Sequence, residues 1–481
     1  MILKAIIRDL LDRVPDYQNF LTLAELDESS RQLARDYPDT VKLFEMGRTL
    51  EDRPLLCLKI GEGSRNALFF GCPHPNEPIG TMLLEYLSQE LARNQALREA
   101  LDYTFYMVKA WDADGLVRNE GWLKGPFTLQ QYSRYFFRPA GRVQVDWTFP
   151  IDYKDIHFHD TMPETQAMMD LIDDIKPVFN YALHNAGFGG VYWYVTEDVP
   201  QVYPSLYQAA ERQGIPLHLG EPESPSLKIL GKAILLAEGI EVEYDFLEKL
   251  GAKDIPSIIT SGTSSDSYAK SRYGTFTFLT ELPYFYDPRI ADPSLMDKTR
   301  SQAVLEKLDW TEASNREVAS ILAVSETLMT PDNPYLMAVK DFTKGLEIES
   351  TRKMALEDPD YQRPATVAEY FDNTAINKFY RLLAYGMLIR AHEHELEKEL
   401  DPDSRARLEG AMEKAQALHS HLSQELEASF NYQAIPIKKL VTIQLECGII
   451  MAPAYSQPKL KHICKAGHFG RPSPFLTSPV P

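Results

Sequence analysis

Strand-like and helix-like segments alternate through the first 290 residues, and this alternation restricts the fold more than any other feature. Amphipathic periodicity predicts helical segments at 5–36, 79–94 and 164–175. Short apolar runs bounded by Gly, Pro and charged clusters predict strands at 41–47, 54–60, 66–72, 103–111, 177–184, 191–196 and 275–282. The pattern predicts an α/β fold with a mixed, mostly parallel sheet and helices on both faces.

Beyond about residue 290, strands become scarce and helix-forming runs dominate. The runs 369–400 and 404–430 flank an Asp-Pro-Asp-Ser segment, which predicts a pair of antiparallel helices. Within the first of these runs, we expect His392, His394 and their glutamate neighbours to form a solvated surface. Long loops are expected at 116–160 and 255–274. We therefore divide the chain into an α/β domain, a helical extension and a basic, Pro-rich tail: 1–295, 296–450 and 451–481.

Composition excludes several classes of partner. Fifty Lys and Arg residues against 69 Asp and Glu give a net charge of −19, which disfavours a nucleic-acid or anionic-membrane surface. No run reaches the roughly 18 apolar residues that a membrane-spanning helix needs. Four scattered cysteines and the absence of an export signal near the first residue predict a cytoplasmic protein. The helical extension could supply a contact for a homo-oligomer.

Three predicted strands end in residues that can bind a metal or move a proton. His74 and Glu77 follow the strand at 66–72, and a spacing of three in a turn brings an imidazole and a carboxylate toward one point. His184 ends the strand at 177–184, and Glu281 ends the strand at 275–282. Each residue also has an ordinary structural explanation, such as a hydrogen-bonded core histidine or a salt-bridged glutamate.

The order of these motifs over roughly residues 20–290 resembles the zinc carboxypeptidase family, typified by carboxypeptidases A and B. The resemblance includes Gly47-Arg-Thr-Leu-Glu-Asp-Arg53, the His-x-x-Glu motif, Asp114-Gly115 and Phe-Thr-Phe-Leu-Thr-Glu281. It implies that His74, Glu77 and His184 hold one Zn²⁺ and that Glu281 is the general base. It also implies an arginine that stabilises the oxyanion. Arg138 is the first candidate for that arginine, ahead of Arg118, Arg134 and Arg142.

The sequence departs from the family where a substrate carboxylate is bound. The family's D-x-N-R-N segment corresponds to Val145-Asp-Trp-Thr-Phe-Pro150, which lacks the Asn-Arg pair, and Tyr268 is only a weak substitute for the family's mobile tyrosine. The resemblance therefore implies a metallocarboxypeptidase with altered recognition of the C-terminus of a peptide or peptide-like metabolite. Two alternatives stay open: a zinc-dependent deacylase of small N-acyl compounds, and a non-catalytic binding protein on a degenerate peptidase scaffold.

Overall fold

The computed structural model describes residues 2–345 and 348–455, with side chains from 6 to 452, so most of the predicted tail lies outside the described residues. Its helices are α1 Ile2–Asp12, α2 Leu23–Asp36, α3 Ile79–Arg93, α4 Gln95–Leu101, α5 Ala113–Leu123, α6 Leu129–Tyr135, α7 Pro163–Ile175, α8 Tyr203–Gln213, α9 Ile240–Leu250, α10 Ile255–Ile258, α11 Ser265–Tyr273, α12 Arg300–Ser325, α13 Pro334–Phe342, α14 Ile348–Glu357, α15 Val367–Phe371, α16 Asn377–Leu396, α17 Pro402–Ser429 and α18 Ile437–Tyr455.

The strands are β1 Val41–Arg48, β2 Pro54–Ile60, β3 Arg65–Gly71, β4 Tyr103–Val108, β5 Ile151–Tyr153, β6 Ile156–Phe158, β7 Phe179–His184, β8 Tyr192–Val195, β9 Ile229–Gly231, β10 Ile234–Leu236, β11 Phe276–Glu281, β12 Phe285–Tyr286, β13 Leu295–Thr299, β14 Pro364–Thr366 and β15 Gln433–Ala434. Nine of them form one sheet in the order β1-β2-β4-β3-β7-β11-β8-β10-β9. The central run β4-β3-β7-β11 is parallel, and antiparallel pairs lie toward both edges. The predicted mixed α/β sheet is confirmed.

The sheet is covered on both faces because its central strands are apolar on both sides. On one face, Phe69 and Tyr181 pack in a core with residues of α3 and α18. On the other face, Phe70 and Ala182 pack with residues of α7 and α11. The last described helix, α18, therefore belongs to the layer that covers the sheet, although most of its residues lie within the segment 296–450 assigned to the helical extension.

The extension itself is helical, as predicted. Helices α16 and α17 pack along each other, and Asp401 begins α17 by accepting hydrogen bonds from the backbone N–H groups of Asp403 and Ser404. The expectation for His392 is wrong: this side chain is buried and contacts Leu388 O and Ser325 Oγ. Within residues 2–345 and 348–455, none of the helices combines the length and apolarity needed to cross a lipid bilayer.

Two other expectations need correction. The helical stretch predicted at 5–36 is interrupted between α1 and α2, where Pro15 lies. The predicted long loops at 116–160 and 255–274 contain α5, α6, α10 and α11. Gly121 belongs to the Gly-rich segment that was predicted as a loop, but it lies in α5. It allows α5 and α6 to pack closely, since a Cβ there would lie 2.5 Å from the Tyr135 ring.

Candidate metal centre

The candidate site lies at the carboxyl edge of three neighbouring parallel strands. β3 ends at Gly71, β7 ends at His184 and β11 ends at Glu281. His184 and Glu281 are register partners, so the parallel pairing itself brings their side chains to the same edge. This edge is where open α/β sheets commonly bind ligands.

His74 and Glu77 reach this edge from the turn that joins β3 to α3. The turn is closed by a hydrogen bond from Glu77 N to His74 O at 3.1 Å, and Cys72 bends the chain with a positive φ of 53°. Asn185, directly after β7, accepts a hydrogen bond from Ile79 N at 3.0 Å. This contact fixes the start of α3 beside the end of β7.

The three predicted ligands converge. His74, Glu77 and His184 each offer one donor atom, and these atoms all lie within 4.8 Å of one another. All three residues are at most 4% exposed. His74 Nδ1 is buried with no hydrogen-bond partner, and His184 Nδ1 lies 3.1 Å from Glu77 Oε2. Two imidazoles and a carboxylate are a donor set that suits zinc with an open fourth position, so the residues fit the ion that the family resemblance implies.

Burial and mutual contacts shift the pKa values of these groups. Burial lowers the pKa of His74 well below its ordinary value, and the charge of Arg138 adds to this effect. Burial alone would lower the pKa of His184, but its hydrogen bond to Glu77 and the charge of Asp146 raise it overall. The pKa of each histidine in the site therefore depends on the charges of its neighbours.

Glu281 stands beside this cluster. Its Oε1 lies 3.9 Å from His184 Nδ1, and the residue is 8% exposed. Burial, followed by the negative charge of Glu77, raises the pKa of Glu281 well above its ordinary value. A carboxylate with an increased proton affinity, next to a set of metal-type donors, can accept a proton and return it.

Of the four arginines considered from the sequence, Arg138 is the one that contacts this cluster. Its Nη1 donates to Glu77 Oε1 at 2.9 Å, and its Nε donates to Gln144 at 3.1 Å. Arg118 pairs with Glu51 and Arg134 pairs with Glu393. Arg142 is exposed and lines a different cavity.

The segment 145–150 lies at the site, as its alignment with the family motif predicts. Its side chains contact the two histidines of the site. Asp146 Oδ2 lies 3.7 Å from His184 Nε2, and its other oxygen accepts a hydrogen bond from Ser265 N at 3.1 Å. Burial raises the pKa of Asp146 to about 6. The Trp147 ring packs edge-on against His74 with centroids 5.1 Å apart.

The sequence did not reveal these two contacts, although the position of the segment in the motif was a usable signal. Tyr268, the weak candidate for a mobile tyrosine, donates its hydroxyl to Asp173 at 3.0 Å and packs on Phe149. Its ring is thus part of the core beneath the site.

The fold and the donor cluster together define an α/β protein with a candidate mononuclear metal centre at the carboxyl edge of its sheet. Comparison with known families makes the assignment specific: the chain belongs to the zinc carboxypeptidase family, whose sequence profile matches residues 26–283.

Individual relatives are distant. Carboxypeptidase D of Drosophila melanogaster is 25% identical over 195 residues, which are 37% of this chain and 13% of that protein. Mast cell carboxypeptidase A of Homo sapiens is 31% identical over 100 residues, 18% of this chain and 24% of that protein. The chain thus spans about a quarter or less of these relatives. The structure of carboxypeptidase A from Helicoverpa armigera aligns with 59% of this chain and 71% of its own, at 14% identity and a TM-score of 0.38.

Proposed function

We propose that this protein is a zinc-dependent hydrolase of amide bonds, most simply a metallocarboxypeptidase that acts on a peptide or peptide-like metabolite. The observation that carries the proposal is the buried convergence of His74, Glu77 and His184 with Glu281 at 3.9 Å from His184. Family membership supports the same chemistry.

In this proposal His74, Glu77 and His184 hold one Zn²⁺. A zinc ion so held would polarise the scissile carbonyl and lower the pKa of a water molecule. Its donors come from a turn and a strand end that Asn185 ties together, so the protein holds them in place before any ion binds. Asp146 Oδ2 lies 3.7 Å from His184 Nε2, so its negative charge faces the side of the imidazole that is turned away from Glu77.

Glu281 acts as the general base in the proposed reaction. Its carboxylate takes a proton from the attacking water and delivers it to the leaving nitrogen. Its raised pKa suits both halves of this transfer. Arg138 supplies the positive charge that stabilises the oxyanion of the tetrahedral transition state, because its guanidinium already lies within 2.9 Å of Glu77 in the same site.

Deacylation of small N-acyl compounds is the second candidate. The segment 145–150, which packs Asp146 and Trp147 into the site, contains no guanidinium for a substrate's terminal carboxylate. A deacylase would share the metal donors and Glu281 and would differ only in the group that precedes the scissile bond.

The test compares Glu281→Gln with Glu211→Gln, an exposed glutamate on α8, in zinc-supplemented preparations. We expect Glu281→Gln to keep its zinc and to lose activity by about 10²- to 10⁴-fold, measured on a pool of peptides and N-acyl amino acids. Equal activity of the two variants would contradict the role of Glu281. Products from the pool would separate peptidase from deacylase.

A further inference from the structure

Arg138, the arginine proposed to stabilise the oxyanion, lies in an irregular segment of the chain. Residues 136–140 follow α6 and precede a short 3₁₀ turn that begins at Gly141. Within the α/β part, Asn119 of α5 holds this segment: Phe137 N donates to Asn119 Oδ1 at 3.1 Å, and Asn119 Nδ2 donates to Phe137 O at 2.9 Å. A segment without regular backbone pairing depends for its position on contacts with neighbouring elements.

Arg390, on α16 of the helical extension, binds the end of the helix that leads into this segment. The last carbonyl groups of a helix have no partner within the helix. Arg390 Nη1 donates to Tyr135 O at 2.8 Å and to Phe136 O at 3.3 Å. Its Nη2 donates to Tyr335 Oη at 2.6 Å, and the Tyr335 ring packs edge-on against Phe137 with centroids 5.1 Å apart. The extension therefore contacts three successive residues that precede Arg138.

Asp341, near the end of α13 in the extension, holds the other end of the segment. Its Oδ2 accepts a hydrogen bond from Gly141 N at 2.8 Å. A hydrogen bond to a carboxylate is charge-assisted and is therefore stronger than one between neutral groups. The extension thus contacts the chain on both sides of Arg138. Because Arg138 Nη1 lies 2.9 Å from Glu77 Oε1, a displacement of the segment would move the guanidinium relative to the metal donors.

We propose that the helical extension positions Arg138 for catalysis, with Arg390 and Asp341 as positioning residues. The inference rests on the proposed hydrolase function and gives the extension a role in it. A group that stabilises the charge of a transition state must be held where that charge develops, and a misplacement of 1 Å can lower the rate by about 100-fold. The contacts on both sides of Arg138 supply this constraint. Loss of Arg390 should therefore lower kcat and leave KM almost unchanged.

A double-mutant cycle tests whether Arg390 acts through Arg138, with a substrate selected from the pool of peptides and N-acyl amino acids. We expect Arg390→Gln to lower kcat by about 10- to 100-fold with KM within about twofold. Arg390→Lys, which keeps the charge, should recover part of the loss. In an Arg138→Ala background, Arg390→Gln should change kcat by less than about twofold. Arg316→Gln, at an exposed arginine of α12 in the same extension, is the matched control and should leave kcat unchanged.

Hydrogen exchange, followed by mass spectrometry, gives a measurement that does not depend on turnover. In the zinc-loaded protein, peptides that span 136–141 should exchange about 10-fold faster in Arg390→Gln than in Arg316→Gln, because the hydrogen bonds of a charged donor are lost. Peptides that span 72–78, the turn that carries two of the metal donors, should exchange as in the wild type. If Arg390→Gln fails to fold, Asp341→Ala tests the other end of the segment with the same expectations.

Two results would overturn the inference. One is equal exchange of segment 136–141 in Arg390→Gln and Arg316→Gln. The other is an equal loss of kcat with and without Arg138, because Arg390 would then support the fold as a whole. If the wild type hydrolyses no compound in the pool, the proposed function fails, and the exchange experiment alone decides whether the extension holds the segment.

Discussion

Gly386 lies at a close approach between the helical extension and the α/β part. A Cβ at this position of α16 would lie 1.9 Å from Ser133 O and 2.9 Å from Ser133 C. Both are backbone atoms of α6, the helix that precedes Arg138 in the chain. Since Cβ contacts below about 3 Å are not tolerated, Gly386→Ala must move α16 away by about 1 Å. Overpacking of this kind costs about 3 kcal/mol, and the better helix propensity of Ala returns about 1 kcal/mol. We expect a net loss of about 2 kcal/mol in the free energy of unfolding.

Gly410→Ala is the matched control, because Gly410 lies within α17 and a Cβ there would meet no atom within 4 Å. This substitution should stabilise the protein by up to about 1 kcal/mol. Urea unfolding of both variants and the wild type, followed by circular dichroism, measures the difference. If Gly386→Ala is as stable as Gly410→Ala, the close packing of α16 on α6 is refuted.

Two further predictions concern buried polar groups. Lys109→Met leaves Glu85 without its 2.7 Å ion-pair partner in the core and should lower the free energy of unfolding, measured in urea, by about 3–5 kcal/mol. Lys340→Met, which removes an exposed ion pair with Glu326, is the control and should change that free energy by less than about 1 kcal/mol. Similar losses in the two variants would contradict the importance of the buried pair. Burial, together with the charge of Arg134, lowers the pKa of His419 to about 4, so the folded protein favours the neutral imidazole. The contribution of this neutral imidazole to the stability of the fold is complete above the unfolded pKa of about 6.5 and is lost as the pH falls toward 4. Relative to His419→Gln, the wild type should therefore lose about 2 kcal/mol between pH 7.5 and pH 5, and parallel pH profiles would contradict this.

The hydrophobic period and the residues at segment ends predict those helices and strands whose limits are set by neighbouring residues in the chain. The strand at 54–60 and the helix at 164–175 differ from the structure by at most one residue, because period and end signals coincide there. His184 and Glu281 could be predicted as neighbours because parallel strands align their carboxyl ends.

The rest depends on contacts between distant residues. At the N-terminus of α11, Ser265 N donates a hydrogen bond to Asp146, which lies 119 residues earlier in the chain. The sequence predicted a loop where this helix lies. His392 is buried because α12 supplies Ser325 as a partner, which the charged neighbours of His392 in the sequence did not indicate. No sequence pattern predicted the hydrogen bond between Arg381 and Asn315, since it follows from how α12 and α16 pack.

The proposed chemistry depends on the binding of one zinc ion by His74, Glu77 and His184. The most direct test is the zinc content of the zinc-supplemented, dialysed protein by atomic emission, in the wild type and in His184→Ala. We expect about one equivalent of zinc in the wild type and a loss of most of it in His184→Ala, since two protein donors remain. Less than half an equivalent in the folded wild type, or an unchanged content in His184→Ala, would contradict it.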